Sequence, residues 1–366
     1  RIFSIEYERI KSIMAYTTVN KSTDFFKSVK YQGTGNDNLA VTGVGFSSDF
    51  TWTKKIETTT NERPYLFDTI RGATKYISTS HATLEQTAAD SLKAWTSDGY
   101  TAGTNNAVNQ SSSYSYTTMN WKAGTAVSGQ TTGSGSYKTY TGTVNTTAGF
   151  SIIKYVGNGT AGHTIPHHLG TANISQIFVK SLSGNEDWMV YNKNSGASNF
   201  LILNATATPA SGTQWNSTAP SSSVFSIGSN NNMNQNNNNF IAYIFAEKQG
   251  YSKFGKYTSN GNADGPFCYL GFKPAVLLIK NTSQATDWIM FSNDRNGFNG
   301  NNTPIFPNTE TGAGNATDNE IDFLSNGFKV RNAGSKSNGD GASKELFYMA
   351  LGQTLVGTNN VPNNAF

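Results

Sequence analysis

The chain has 366 residues, of which 14% are charged and 12% are aromatic, and its formal net charge is +4. The aromatic content excludes a disordered chain, and the absence of a dense Lys/Arg cluster argues against a nucleic-acid partner. No apolar run is long enough to span a bilayer, so we expect no membrane insertion. Gly, Ser, Thr and Asn replace the usual charged residues, which predicts an all-β protein with long polar loops.

The first residues differ in style from the rest of the chain. Residues 1–13 read RIFSIEYERIKSI, which is charged and Ile-rich, whereas the polar, Thr-rich style begins with MAYTTVNKSTDFF at Met14. Two interpretations stay open. Met14 could be the true initiator, or the segment could form a short amphipathic docking helix with Ile5, Ile10 and Ile13 on one side. We treat residues 1–23 as an N-terminal segment.

Three stretches in chain order share a strand-like pattern followed by a Gly/Asn turn. They read DFFKSVKYQGTGND, GFSIIKYVGNGTAG and GYSKFGKYTSNGNADG. Each carries a tyrosine shortly before the turn, and these are Tyr31, Tyr155 and Tyr257. Internal similarity of this kind predicts repeated structural units.

A second block follows each of these stretches: FTWTKKIETTTNERPYLFD, ISQIFVKSLSGNEDWMVYN and AVLLIKNTSQATDWIMFSN. In each, a strand ends in lysine, a polar hairpin follows, and a second strand completes the block. The lysines are Lys54, Lys180 and Lys280. The second strand holds an Asp-Trp pair in the later copies, Asp187-Trp188 and Asp287-Trp288, and Pro64-Tyr65 replaces that pair in the first. We expect the lysines, like the tryptophans, to be structurally equivalent.

A third block contains a polar loop between strand-like runs, with NNAVNQSSS, NNNMNQNNNN and AGSKSNGDGAS in the three copies. In the second copy this asparagine tract joins a strand ending at Ile227 to one starting near Phe240, so we expect a solvated hairpin tip. Asn side chains both donate and accept hydrogen bonds, which suits sugar hydroxyls. A passive, solvated tip is the alternative. The candidate binding residues are Asn105, Asn106, Asn109, Tyr114, Asn231, Asn232, Asn234, Asn236, Asn238, Lys336 and Asn338.

The repeats predict three tandem β-sandwich units, jelly-roll or lectin-like, each of about 100 residues, a normal size for such a domain. The units are expected at residues 24–124, 149–249 and 250–354. Residues 125–148 are rich in Gly, Ser and Thr and predict a linker. Residues 355–366 form a C-terminal tail.

The blocks GFSSDFTWTKK, FDTIRGATKYIS, SDGYTAGTNNAVN and YTTMNWKAG, with the terminal GQTLVGTNNVPNNAF, resemble a family of phage virion structural proteins. The resemblance covers nearly all of residues 14–366. Thr53, Lys55 and the Ser-rich residues 111–115 depart from the family pattern. The resemblance implies a location in the virion and other phage structural proteins as partners. It also suggests a host-facing role and, because phage fibres are commonly three-fold, a homotrimer. It brings no catalytic residues.

The histidines are His81, His163, His167 and His168, and the last three stand in GHTIPHHLG. They could form a metal site or supply a base, but a zinc site needs further ligands in fixed geometry. We favour a turn packed around Pro166 and expect neither metal nor cofactor. The single cysteine, Cys268, allows no intrachain disulfide and is expected to be a small buried hydrophobe.

A glycosidase needs two carboxylates at a set separation, and the candidates are Asp187, Asp287, Asp322 and Glu320. Asp187 and Asp287 are equivalent in the repeat, so a structural role in the hairpin is favoured. Asp68 with Arg71, and Asp294 with Arg295, predict a recurring ion pair or turn. Trp188 and Trp288 could stack on sugars, but their apolar neighbours favour core packing.

These observations predict a non-enzymatic virion protein, expected to be a tail-fibre or tail-associated adsorption protein that presents polar loops to host-surface glycans or to other virion proteins. A capsid decoration or neck protein is the first alternative. A polysaccharide depolymerase is the second.

Overall fold

The computed structural model describes residues 16–56, 62–295, 299–300, 303–312 and 319–353. The predicted N-terminal docking helix and the C-terminal tail lie outside these residues. The described chain is nearly all β, in antiparallel sheets that pair into sandwiches, so the predicted all-β sandwich class is confirmed, whereas its jelly-roll or lectin-like type stays a prediction. None of its helices is long and apolar enough to cross a membrane.

The first sandwich pairs a six-stranded sheet with a three-stranded sheet. Its strands are β1 (Phe26–Gln32), β2 (Leu39–Val41), β3 (Phe50–Lys55), β4 (Tyr65–Asp68), β5 (Lys75–Ser78), β6 (Gln86–Thr87), β7 (Leu92–Thr96), β8 (Gly99–Ala102) and β9 (Ser115–Trp121). A 3₁₀ helix, Ser22–Asp24, precedes β1, and α1 (Asn106–Asn109) precedes β9. The large sheet has the order β1-β9-β3-β4-β5-β6 and the small one β2-β8-β7.

The second sandwich has an eight-stranded sheet and a three-stranded sheet. Its elements are β10 (Thr125–Gln130), β11 (Thr132–Gly133), β12 (Thr139–Asn145), β13 (Phe150–Val156), β14 (His163–Pro166), β15 (Ile174–Ser181), β16 (Met189–Asn192), β17 (Asn199–Ile202), β18 (Ala210–Ser211), β19 (Val224–Ile227), α2 (Asn231–Asn234) and β20 (Asn239–Ala246). The sheet orders are β10-β12-β13-β20-β15-β16-β17-β18 and β11-β14-β19.

The third sandwich has a four-stranded sheet and a three-stranded sheet. Its elements are β21 (Ser252–Asn260), β22 (Phe267–Tyr269), β23 (Lys273–Asn281), β24 (Ile289–Ser292), β25 (Ile321–Leu324), β26 (Gly327–Val330), α3 (Ser335–Asn338) and β27 (Ala342–Gln353). The sheet orders are β21-β27-β23-β24 and β22-β26-β25. The unit boundaries inferred from the repeats stay a prediction.

The predicted linker at residues 125–148 is wrong, because these residues form β10, β11 and β12. β10 pairs with β12, and β12 pairs with β13, so the large sheet extends past β13. The segment is poor in apolar residues because β10 lies at the sheet edge and exposes most of its side chains. Thr nevertheless favours a strand, and main-chain pairing supplies the hydrogen bonds.

Strand registers place the predicted lysine and tryptophan pairs at matching positions. Val179 pairs with Met189 in the second sandwich, and Ile279 pairs with Ile289 in the third. Lys180 and Lys280 directly follow the first members of these pairs, and Trp188 and Trp288 directly precede the second members. The expected equivalence of these residues therefore agrees with the structure.

The central strands of each large sheet are buried on both faces, because their apolar side chains alternate between two cores. In β15, Ile177 and Val179 pack into a core within the second sandwich, whereas Phe178 faces a core shared by all three sandwiches. Side chains from β3 and β23, such as Trp52 and Leu278, also enter the shared core. The other two sandwiches have internal cores of their own. The three large sheets therefore meet face to face around one apolar centre.

The connections between sandwiches and both ends of the described chain lie together, at what we term the connection end. The Ser22 main-chain N–H and hydroxyl donate to Gln353 Oε1 at 2.7 Å and 2.8 Å. The Thr17 hydroxyl donates to the Gln249 carbonyl at 2.6 Å. β1 begins opposite Trp121, the last residue of β9, and the first residues of β13 and β21 likewise lie opposite the ends of β20 and β27. These three strands therefore run away from the connection end towards the polar loops.

Candidate contact loops

The asparagine tract is not a hairpin tip, as the sequence suggested, but a crossing between two sheets. β19 before it pairs with β14 in the small sheet, whereas β20 after it lies between β13 and β15 in the large sheet. The tract therefore closes one end of the second sandwich. Its middle forms the single helical turn α2.

Local chemistry explains that turn. The Asn230 side chain caps it by accepting a hydrogen bond from the Asn232 main-chain N–H at 2.8 Å, a common role for asparagine. Met233, the one apolar residue of the tract, is fully buried in the sandwich core. The turn is thus fixed by a cap at its start and by an apolar anchor near its end.

Asn234 is fully buried, so the prediction that the whole tract is solvated is wrong at this residue. Its Oδ1 accepts from the main-chain N–H groups of Asn158 and Gly159 at 2.8 Å and 3.3 Å. Its Nδ2 donates to the carbonyls of Thr160 and Gly228 at 2.9 Å and 2.7 Å. One amide therefore satisfies four main-chain groups and ties two loops together, which makes its burial inexpensive.

Asn109 does the same in the first sandwich and is also fully buried. Its Oδ1 accepts from the N–H groups of Thr34 and Gly35 at 2.6 Å and 3.0 Å. Its Nδ2 donates to the carbonyls of Asn36 and Gly103 at 2.7 Å and 2.8 Å. A predicted binding residue is again an internal bridge, so its role as a contact residue is corrected.

Asn338 is the corresponding bridge in the third sandwich. It is fully buried, and its Nδ2 donates to the carbonyls of Asn262 and Asn332 at 2.7 Å and 2.8 Å. Its Oδ1 accepts from the Asn260 N–H at 3.1 Å. It cannot contact a ligand without breaking these bonds, so this predicted contact is corrected too.

A buried tyrosine hydroxyl supports each loop from below. Tyr155 donates to the Met233 carbonyl at 2.8 Å, one residue before the buried asparagine. Burial raises the pKa of Tyr155 well above its usual value, so the phenol stays a proton donor. The corresponding pairs are Tyr31 with Val108 and Tyr257 with Ser337. The tyrosines aligned in the sequence therefore hold the three loops in the same way.

The other predicted contact residues keep at least part of their surface. Asn106, Asn231 and Asn236 are exposed, and five more are partly exposed: Asn105, Asn232, Asn238, Tyr114 and Lys336. Asn105 caps α1 as Asn230 caps α2. Lys336 lies 3.8 Å from Asp287, and Lys55 stacks over the Tyr114 ring at 3.6 Å. Each sandwich thus carries its own set of polar groups.

Sequence reasoning missed part of the surface in the second sandwich. Lys138 donates to the Asn237 Oδ1 at 2.7 Å, which brings the segment after β11 against the asparagine tract. Its neighbour Tyr137 is 60% exposed. Interpreting this region as a linker hid the contact, and the tyrosines within it were the available signal.

The histidines do not converge on one point. Asn158 Nδ2 contacts His163 Nδ1, His167 Nε2 donates to the Ser221 carbonyl, and His168 bonds to Tyr140. Burial lowers the pKa of all three, which favours neutral rings held by these partners. Within the described residues, no group of three or more His, Cys, Asp or Glu could hold a metal ion.

Three of the four candidate carboxylates, all except Glu320, have structural partners in the described residues. Asp187 accepts from Asn204 Nδ2 at 2.8 Å, and Asp287 accepts from Asn308 Nδ2 at 3.0 Å, which matches the equivalence predicted for them. Asp322 pairs with Arg331.

The predicted ion pair between Asp68 and Arg71 is present at 2.5 Å and fully buried. Asp294 and Arg295, the predicted counterpart, lie in a turn as the sequence suggested, and Asp294 accepts a hydrogen bond from Thr117 at 2.9 Å. Trp188 and Trp288 are buried in the shared core and cannot stack on a sugar. Cys268 is buried as expected, and burial raises its pKa to about 12.

Comparison with known proteins gives one match. A family model described as "Domain of unknown function (DUF7483)" matches residues 21–354. No curated protein and no solved structure matches the chain.

Proposed function

Because the chain belongs to the DUF7483 family, whose description names no function, we propose a function from its own residues and loops. The protein is a non-enzymatic phage virion component: a tail-fibre or tail-associated adsorption protein. It presents polar loops on rigid sandwiches to host-surface glycans or to other virion proteins.

One observation carries this proposal. Each sandwich holds a loop in place with a buried asparagine amide and a buried tyrosine hydroxyl, while neighbouring polar side chains are exposed or partly exposed. A loop that existed only to connect two strands would not need this internal bracing. Rigid presentation lowers the entropy lost on binding, which is what a recognition surface requires.

The resemblance of the sequence blocks to phage virion proteins supports the location. The structural partners of Asp187, Asp287 and Asp322 support the absence of catalysis, because a glycosidase keeps two carboxyl groups facing one bond. Release of reducing sugars from host envelope by the purified protein would contradict this part of the proposal. Proteomics of purified virions tests the location, and a copy number matching the capsid lattice would favour the decoration alternative.

The recognition role is tested with a variant that changes only exposed side chains and is therefore expected to fold normally. Asn106, Asn231 and Asn236 are replaced by Ser, while the buried asparagines are left intact. Exposed Asn173 lies near the connection end, so Asn173→Ser is the matched control. We expect the triple variant to melt like the wild type and to bind host cells at least about tenfold more weakly. Unchanged binding would reduce the loops to spacers.

A further inference from the structure

Lys180 lies at a joint between two sandwiches. It is fully buried at the end of β15, and its Nζ donates to the Glu186 carbonyl at 2.5 Å and to the Ala82 carbonyl at 2.9 Å. Glu186 belongs to the same sandwich, whereas Ala82 belongs to the first one. The ammonium group therefore bridges the second sandwich to the first.

Lys280 makes the same bridge one sandwich further along. It is fully buried, donates to the Thr286 carbonyl within its own sandwich, and donates to the Thr206 carbonyl of the second sandwich at 2.8 Å. Trp188 and Trp288 accompany the two lysines. Their indole N–H groups donate to the Ser78 carbonyl at 2.8 Å and to the Ile202 carbonyl at 3.1 Å.

Lys54 completes the set by reaching from the first sandwich to the third. Its Nζ donates to the Glu62 carbonyl at 2.6 Å, and across the joint to the Thr309 and Glu310 carbonyls at 3.1 Å and 2.8 Å. Only 1% of Lys54 is exposed. No tryptophan accompanies it, since Pro64 stands at that position.

The acceptor carbonyls across the three joints are equivalent by strand register. Leu66 pairs with Ile77, Val190 with Leu201, and Met290 with Ile305. Ala82, Thr206 and Glu310 follow these second members by the same number of residues. The three lysines thus make the same hydrogen bond at three joints. Lys54 links the first sandwich to the third, Lys180 links the second to the first, and Lys280 links the third to the second.

We infer that a single chain forms a closed ring of three repeated sandwiches, latched by Lys54, Lys180 and Lys280, and that this monomer is the assembled state. The inference holds whether or not the protein is a virion component. It replaces the homotrimer as the expected assembly, because the three apolar sheet faces that a three-fold assembly would bury already bury one another around the shared core within one chain.

The joint between the first and third sandwiches is the seam of this ring, because no chain connection links them directly. Beside Lys54, it contains Thr79, whose hydroxyl donates to the Pro307 carbonyl at 2.5 Å, and Arg63, which pairs with Glu310 at 2.9 Å. If the ring opens, we expect it to open here.

The test compares Lys54→Met and Lys180→Met with exposed Lys122→Met in the full-length chain, using native mass spectrometry and amide hydrogen exchange. We expect a monomer in all cases. Met290 and Ile305 lie in the third sandwich, and the main-chain N–H of each donates to the carbonyl of the other. In Lys54→Met, these two amides should exchange at least about tenfold faster. The second sandwich should be unchanged.

A stable wild-type trimer at micromolar concentration would overturn the inference, as would seam exchange in Lys54→Met that equals the Lys122→Met value. If a variant fails to fold, acetylation of the wild type decides the matter. The three latch lysines should then react at least about tenfold more slowly than Lys122, because reaction requires the joint to open. Equal rates would contradict a latch.

Discussion

Replacing Asn234 by Ala removes a side chain that bridges two loops, and its effect follows from its hydrogen bonds. The substitution leaves the Asn158 N–H and the Gly228 carbonyl without a partner. The Gly159 N–H still donates to the main-chain carbonyl of residue 234 at 2.8 Å, and the Thr160 carbonyl still accepts from the His163 N–H at 3.3 Å. An unsatisfied buried polar group costs about 1–3 kcal/mol, and partial rehydration of the loop offsets part of that sum. For these two groups we expect a loss of about 2–4 kcal/mol in the free energy of unfolding.

The assay is urea denaturation followed by far-UV circular dichroism and tryptophan fluorescence, with exposed Asn236→Ala as the matched control. Asn236→Ala should change the free energy of unfolding by less than about 0.5 kcal/mol. Hydrogen exchange adds a local measurement, since the Asn158 amide loses its acceptor in Asn234→Ala and should lose protection, whereas the Gly159 amide keeps the main-chain carbonyl of residue 234. A loss below about 1 kcal/mol would refute the reasoning, because water would then replace the amide without penalty.

Three further predictions concern charge, a buried cluster and the surface. Burial lowers the pKa of Lys180 and of Lys280 to about 8, against the opposing charges of Asp187 and Glu186 near the first and Asp287 near the second. Between pH 8 and about 10 the unfolded chain binds more protons than the folded one, so stability rises with pH there. In urea titrations, the free energy of unfolding should rise between pH 8 and pH 9.5 by about 2 kcal/mol less in each Lys→Met variant than in the wild type. Tyr243→Phe removes the hydroxyl that donates to buried Asp68 at 2.7 Å. We expect a loss of about 1–3 kcal/mol by urea titration, and an unchanged value would mean that Arg71 alone satisfies the carboxylate. Tyr137→Ala should leave melting unchanged and weaken host-cell binding several-fold if the asparagine-tract surface is a contact site, and equal binding would remove Tyr137 from it.

The repeats made much of the fold predictable. Tyr155 and Tyr257, or Lys180 and Lys280, recur at matched spacing because each strand pairing needs the same residue at the same register. These features depend on short segments, and the sequence carries them directly.

The loops were harder to predict because their chemistry depends on distant residues. Asn234 resembles its solvated neighbours in sequence, and only the carbonyls of Thr160 and Gly228 make it an internal bridge. The Thr- and Gly-rich β10 to β12 resembled a linker for a similar reason, since pairing with β13 supplies what their side chains lack. Which asparagines face solvent is therefore a property of the assembled sandwich.

The contact between Ser22 and Gln353 means that the described chain returns to its starting point. Because the two ends lie together, the stability of the folded ring does not depend on which sandwich comes first in the chain. The polypeptide could therefore be cut at another connection between sandwiches and joined at its present ends. A circularly permuted gene that begins at β10 or β21, with a short peptide joining residue 353 to residue 22, should therefore encode the same three-dimensional object. Such permutants would show which of the three sandwiches has to be synthesised first, a property of folding kinetics that the finished ring conceals.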